Sequence, residues 1–485
     1  MSSRRNTCLV VGLNLPIVTR SRFLAAAVLW LACALPTTPA AVGASRQPTT
    51  RPDAGLAQAS KTDVDAKIRE LIGGYETRIA ALDPTDTVVA TSLPRLRENL
   101  ALLRSEMGRD KSRYPADCFT FEECIQWLER DMKFYLDDCL EKGTDPRTRV
   151  AGRWLPKAYW IERADIMGRY DLLVPRAYDP KRSWPLVISY QDNPDQDLIR
   201  QTRYILLRAV QKGYPKSLVR LENKTRSMLK DAMRELNIDP YRLYATGFSF
   251  GGRTCLMFAW RYPHWFAAIA PVCNDLRGPE TPRVRYLKNV PSLLLHGDRD
   301  SFLTTGRQVY AYLTDAGCPA VFQTYPGGHN PVPFRKDVKV LTDFFDRHVM
   351  DPYPKRVSHI IEHKRYSRAF WVDAKLIKDA GGMEAAFEVR VGDANRVEID
   401  ANEQIAELDL YLNSRLVDMN KPVTVVSGDK VLYSGPAVEK LTVPLREAPD
   451  YARDSGDTLW QDLVRIHDQV HGPCSTQRVP GAGVK

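Results

Sequence analysis

Residues Tyr241–Asn274 read YRLYATGFSFGGRTCLMFAWRYPHWFAAIAPVCN. Leu243-Tyr244-Ala245-Thr246 is a short β-like run, residues 252–262 carry helical spacing, and Ala267–Val272 is a second β-like run. Between the first strand and the helix stands Gly247-Phe248-Ser249-Phe250-Gly251-Gly252, a G-x-S-x-G pattern. By itself the pattern is weak. At a strand-to-helix junction it has the context that a nucleophile elbow requires. The glycines leave room for a sharp turn, which forces Ser249 into a strained conformation and lifts its hydroxyl clear of the sheet at a helix N-terminus.

Working outward, the surroundings repeat one texture from 165 to 350. Pro185–Tyr190, Ser292–His296 and Ala320–Tyr325 read as strands; 198–213, 217–236, 305–316 and 336–348 read as helices. Apolar strands joined by helical crossovers predict a mostly parallel, doubly wound α/β sheet covered on both faces. In such a sheet the partners of a nucleophilic serine follow as acid, then base, at the carboxyl ends of later strands. After Leu293-Leu294-Leu295 comes His296-Gly297-Asp298-Arg299-Asp300, where Asp300, deeper in the loop, is the preferred acid and Asp298 the runner-up. After the next strand comes Tyr325-Pro326-Gly327-Gly328-His329-Asn330, which places His329 as the base. His264 and His296, next to the helix and at a strand end, read as structural. His348, His359, His363, His467 and His471 fall outside the expected loop. The backbone N–H of Phe250 is the expected first oxyanion donor, and the second is expected from the loop after Leu186-Val187-Ile188.

The flanks differ. Residues 1–44 hold Arg4, Arg5, Arg20 and Arg22, the apolar run FLAAAVLWLACAL at 23–35, and Val42-Gly43-Ala44, which together describe a secretory signal peptide. Residues 45–62 read as a flexible spacer and 63–150 as a helical N-terminal region, with Leu93, Leu96, Leu100 and Leu103 on one stripe and Phe121, Ile125, Leu128, Met132 and Leu136 on another. The α/β region is bounded at 151–352. From 366 to 446 the period drops to two, with Phe387 and Val389 alternating with Glu388 and Arg390, and Ser427-Gly428-Asp429-Lys430 marks a hairpin. This is a small antiparallel, sandwich-like β domain. Residues 447–485 read as a polar tail with one helix at 457–470.

Composition bounds the rest. Hydrophobic residues are 44% and charged residues 26% of the 485 residues, which excludes a disordered or collagenous chain. The net charge is +10, and without the leader arginines it is +6, with no Lys/Arg block to mark nucleic-acid binding. After leader cleavage no apolar run is long enough to anchor the chain in a membrane. That predicts a secreted or periplasmic protein. The nine cysteines show no C-x-x-C spacing for zinc. One disulfide among Cys118, Cys124 and Cys139 suits an oxidising compartment, while Cys255 and Cys273 read as small buried hydrophobes. No phosphate-cradling G-x-x-x-x-G-K and no H-E-x-x-H is present, so no cofactor or metal is implied.

GFSFGG, RYPHWFAAIAPVCN, LLLHGDRDSF and YPGGHN together resemble the catalytic domain of α/β-hydrolases near the feruloyl and acetylxylan esterases, polyhydroxybutyrate depolymerase-like esterases and prolyl oligopeptidase-like hydrolases. The resemblance covers roughly 165–350. It implies the α/β-hydrolase fold with Ser249 as nucleophile, Asp300 as acid and His329 as base, and leaves the substrate open; the leading expectation is a hydrolase of carboxylic esters, on small-molecule or polysaccharide substrates. The related esterases carry a His-Gly pair after the strand that here ends in Ile188-Ser189-Tyr190; this chain has Gln191-Asp192-Asn193-Pro194. Prolyl oligopeptidase-like enzymes place a tyrosine hydroxyl there, which makes Tyr190 and Gln191 the candidates for the second oxyanion donor. Two other readings fit the same residues: a prolyl oligopeptidase-like serine peptidase, and a weakly active pseudo-hydrolase that binds carbohydrate. The sequence leaves the oligomeric state open.

Overall fold

The computed structural model describes residues 61–108, 120–190, 203–209, 218–331, 338–377, 384–446, 451–452 and 457–474. The leader at 1–44 and most of the spacer lie outside them.

Three helices open the described chain: α1 (Lys61–Ala80), α2 (Thr87–Glu106) and α3 (Phe121–Lys133), the last running on as a π-helical turn over Phe134–Leu140. Asp86 caps α2 by accepting from the amides of Val88 and Val89, and Thr120 and Glu123 form a capping box on α3. The two expected apolar stripes are core: Leu96, Leu103 and Leu128 are fully buried. They do not form a separate bundle. α3 packs on the antiparallel hairpin of β1 (Trp154–Ile161) and β2 (Ile166–Leu173), two strands that the sequence reading left unassigned.

That hairpin is one edge of an eight-stranded sheet. It continues with β3 (Trp184–Tyr190), β4 (Ile205–Ala209), β5 (Ile238–Phe248), β6 (Ala268–Val272), β7 (Ser292–Gly297) and β8 (Ala320–Tyr325), in the order β1-β2-β4-β3-β5-β6-β7-β8. From β4 through β8 every pairing is parallel. Every residue of β3, β6 and β7 is buried, so both faces of the sheet are covered. The covering helices are α4 (Leu218–Glu235), α5 (Phe250–Arg261), α6 (Leu303–Asp315) and α7 (Lys339–Phe345). This is the expected mostly parallel α/β-hydrolase architecture. One element is corrected: in the expected helix at 198–213, Ile205–Ala209 is the strand β4, because its apolar run is sandwiched between β2 and β3.

The β region begins with β9 (Arg356–Ile361), earlier than the expected 366. One sheet then comprises β10 (Arg368–Ala369), β11 (Val372–Ile377), β14 (Ile405–Tyr411) and β17 (Lys440–Pro444), with β18 (Tyr451–Ala452) on β11. The other comprises β16 (Lys430–Pro436), β15 (Pro422–Ser427), β13 (Arg396–Ala401), β12 (Ala385–Val391) and β9. Glu362, just after β9, joins this region to α5 through Arg261, at 2.7 Å, and Trp260, at 2.7 Å.

The expected polar tail holds a docked helix, α8 (Leu459–His471). Leu459, Trp460, Leu463 and His467 are buried against α4 and β5. The Trp460 indole donates to the Pro240 carbonyl at 3.1 Å, and His467 Nε2 lies 2.9 Å from Asn237 Oδ1. Asp457, just ahead of α8, is buried between Arg226 (2.5 Å), His264 (3.1 Å) and the Trp265 indole. The amphipathic pattern at 457–470 predicts the helix; its distant partner surface is what local pattern does not reveal. No helix among the described residues is long and apolar enough to cross a membrane.

Candidate active site

The turn from β5 into α5 has the strain that the motif demands. Ser249 sits at φ 55°, ψ −116° as the residue before the helix, a region that a non-glycine residue enters at a cost of about 1–3 kcal/mol. Its amide donates to the Val272 carbonyl at 2.9 Å, and its carbonyl accepts from Arg253 at 3.0 Å. A Cβ on Gly247 would stand 2.5 Å from the Tyr190 carbonyl, and one on Gly252 would stand 2.9 Å from the Val272 carbonyl. The glycines are there because neighbouring backbone passes too close for any side chain.

The loops after β7 and β8 are laced together. The amide of Asp298 donates to the Tyr325 carbonyl at 2.9 Å and that of Arg299 to Gly327 at 2.8 Å, while Asp298 Oδ1 accepts from the Gly327 amide at 2.9 Å. A Cβ on Gly297 would meet the Gly328 carbonyl at 2.3 Å. This lacing carries Asp300 and His329 to one point. His329 Nδ1 is 3.0 Å from Asp300 Oδ1, and His329 Nε2 is 3.0 Å from Ser249 Oγ. Of the two candidate acids, Asp300 is the one brought to the histidine; Asp298 is half-exposed and pins the histidine loop instead.

The Asp300 side chain is sealed while His329 keeps 29% of its side-chain surface open. Burial opposes ionisation of Asp300, but hydrogen bonds from Cys273, from the Phe302 amide at 2.9 Å and from His329 outweigh it, so its carboxyl lies below the ordinary carboxylate value. A carboxylate accepts only, so the proton on His329 belongs on Nδ1 and Nε2 is free to accept from the serine hydroxyl. The rings of Phe248 and Phe302 flank His329, with centroids 4.7 Å and 5.1 Å away. The guanidinium of Arg277 stands 5.2 Å over the Phe302 ring.

Phe250 is the first residue of α5, directly after Ser249. Tyr190 requires a correction. Its hydroxyl does not reach the serine; the ring is fully buried edge-on to Phe258, 5.3 Å between centroids, and the hydroxyl lies 3.3 Å from Thr225 Oγ1. On a strand covered on both faces, the last side chain before the loop turned into the core. Gln191 lies outside the described residues.

The sequence reading did not identify Cys273, His296 and Asn274 as neighbours of the site. Cys273, at φ 47°, lies 3.0 Å from the Tyr325 hydroxyl, and burial with Asp300 beside it pushes its thiol up to about 12. It is therefore more than a small hydrophobe. Cys139 is a buried thiol, and Cys118 lies outside the described residues. Cys273, His296 and Asp300 bring metal-ligating atoms within 4.8 Å of one another, and the structure engages all three in hydrogen bonds within the cluster.

No protein-family model matches the chain. A stretch of 75 residues is 36% identical to the protein named as an esterase, NocK, of Nocardia uniformis subsp. tsuyamanensis; it takes in 16% of this chain and 22% of that one, so the chain spans far less than two thirds of that relative. Among solved structures, a thermostable esterase is similar at 18% identity and TM-score 0.34, over 41% of this chain and 64% of that one. The CE1 ferulic acid esterase of the anaerobic fungus Anaeromyces mucronatus is similar at 14% identity and TM-score 0.34, over 40% and 90%. The acylaminoacyl peptidase of Pyrococcus horikoshii is similar at 14% identity and TM-score 0.35, over 41% and 42%. Likeness at this level assigns neither bond nor substrate.

Proposed function

We propose that the protein is a secreted or periplasmic serine hydrolase that cleaves carboxylic esters, acyl groups on polysaccharide among them, through an acyl-enzyme. The observation that carries this is the continuous line Ser249 Oγ–His329–Asp300, both links at 3.0 Å, with the serine on a strained elbow. His329 Nε2 takes the serine proton as Oγ attacks the acyl carbon. Asp300 keeps the imidazole in the required tautomer and stabilises the imidazolium that forms. His329 then returns the proton to the leaving alcohol, and water, activated by the same nitrogen, releases the acid. The first-turn amides of α5, that of Phe250 among them, run along the helix axis toward Ser249 and supply one oxyanion donor.

The test is fluorophosphonate labelling and p-nitrophenyl acetate turnover, beside Ser249→Ala. Labelling and turnover in the parent that both vanish in the variant are expected. A folded protein that neither labels nor turns over would sink the proposal, and faster cleavage of a peptide anilide than of any ester would move it to the peptidase reading.

A further inference from the structure

Asp300 has a histidine on each oxygen. His329 meets Oδ1 from the open side; His296 Nδ1 meets Oδ2 from the buried side at 3.2 Å. We propose that His296 is a positioning residue of the site, donating a hydrogen bond that holds the Asp300 carboxylate in the orientation from which Oδ1 receives His329. The inference rests on Ser249, His329 and Asp300 being the reacting set.

The proton's place on His296 follows from its neighbours. Nε2 lies 3.0 Å from the amide nitrogen of Asn274. That amide is oriented from its other end, where Oδ1 accepts from the Leu276 N–H at 3.4 Å. An amide nitrogen only donates and a carboxylate only accepts. Nε2 is therefore the acceptor, and the single ring proton sits on Nδ1, facing Asp300. A second proton would have to go on Nε2, where it would confront the Asn274 N–H. Burial also pushes His296 below the ordinary histidine value, against the pull of Asp300.

The ring has no second position. It is fully buried, stacked on Phe322 with 5.7 Å between centroids at 14°, and crossed by α6 so closely that a Cβ on Gly306 would stand 2.2 Å from Nε2. One carboxylate thus joins two histidines of opposite design. His329 has to gain and lose a proton beside the nucleophile. His296 is held neutral and still, which fixes the second oxygen so that the carboxylate cannot rotate away when His329 becomes charged.

Two variants and a spectrum test this in the whole protein. His296→Phe keeps the ring and its stacking but has no donor; His296→Asn returns an N–H near the place of Nδ1–H. Partners that orient metal-binding histidines and carboxylates from behind are worth about 10–100-fold in activity, and the same scale applies to a carboxylate that must be held for His329. His296→Phe is expected to lower kcat by about that factor with KM within about twofold. The acid limb of its kcat/KM profile should move to higher pH, because a carboxylate with one donor fewer holds the His329 imidazolium more tightly. His296→Asn should recover most of kcat and return the limb. Equal losses in both variants with no movement of the limb would mean simple packing damage and overturn the proposal, as would full activity in His296→Phe. If His296→Phe does not fold, the decision passes to His296→Asn and to imidazole nitrogen NMR of the parent. A neutral Nδ1–H tautomer is expected for His296 at neutral pH; an Nε2–H tautomer or a charged ring there rejects the idea. Should Ser249→Ala leave hydrolysis unchanged, it is the hydrolase reading that has failed, and the spectrum still reports separately whether His296 donates to Asp300.

Discussion

Among the described residues, the buried aspartates Asp300 and Asp457 both hold histidine, and they serve opposite ends. Asp300 and His329 lie on loops at the carboxyl end of the sheet, and the far nitrogen of His329 faces a serine across a partly open surface. Asp457 and His264 lie beneath α8, where the carboxylate is shared with Arg226 and the Trp265 indole and the histidine is sealed. In the second cluster burial opposes the charge on Asp457, but the Arg226 guanidinium, His264 and Trp265 overcome it and hold its carboxyl far below the usual range. The pairing of acid and base is the same in both. An Asp–His pair becomes chemistry only where the second nitrogen is left facing a nucleophile; otherwise it is a rivet.

The most drastic way to break this comparison is to remove each charge in turn. Asp300→Asn is expected to cut kcat by about 10⁴-fold, the scale seen when an acid no longer sets its histidine's tautomer, with little change in melting temperature. Asp457→Asn should do the reverse. It leaves the buried Arg226 guanidinium with only the more distant Glu222 carboxylate, at 3.6 Å; breaking a buried pair costs about 3–5 kcal/mol in a urea titration, while kcat of the folded fraction stays near the parent's. If Asp457→Asn lowered kcat as far as Asp300→Asn does, the two clusters would not be separable.

The gentlest test uses pH. His359 is fully buried, and burial pushes it down to about 4; burial also lowers His264. Their folded values lie below the unfolded one near 6.5, so between the two the unfolded chain binds more protons and stability rises with pH. Stability should therefore decline as pH falls from about 6.5 to 4, with His359 alone contributing about 3 kcal/mol at the low end. Chemical denaturation at several pH values, compared with His359→Gln, checks the slope: the variant's curve should be flatter, and parallel curves would show that His359 is not the group responsible.

What could be read without coordinates follows the range of each interaction. Ser249, Asp300 and His329 each sit in a loop just past a strand, and strand, glycines and reactive side chain are neighbours along the chain, so local pattern suffices to nominate them. The lacing of the β7 and β8 loops that brings them together is carried by backbone atoms and the Asp298 carboxylate, and neither names its partner along the sequence. Tyr190 failed as an oxyanion donor because β3 is buried on both faces, where the alternation that would tell inward from outward is silent. Ile205–Ala209 reads as helix in sequence because five residues are too few to display a strand's period. His296 carried a faint signal, a histidine four residues ahead of the acid across a glycine turn, but its partner Asn274 ends the neighbouring segment after β6. The docking of α8 joins residues as much as 238 apart, and an amphipathic helix does not name the surface it will cover.

That docking orders events in time. β5, the strand that delivers Ser249, is held at its start by the Trp460 indole, whose bond to Pro240 spans 220 residues. A ribosome adding about 5–20 residues per second needs about 10–40 s to travel between them. Throughout that interval the elbow can be complete in sequence while its strand lacks a clasp and Arg226 lacks Asp457, the nearer of its two carboxylates. Nascent chains arrested after the β region, at residue 446, should remain open to protease in β5, and closure should come only once α8 has been made and docked, so that a helix late in the sequence secures the strand that carries Ser249.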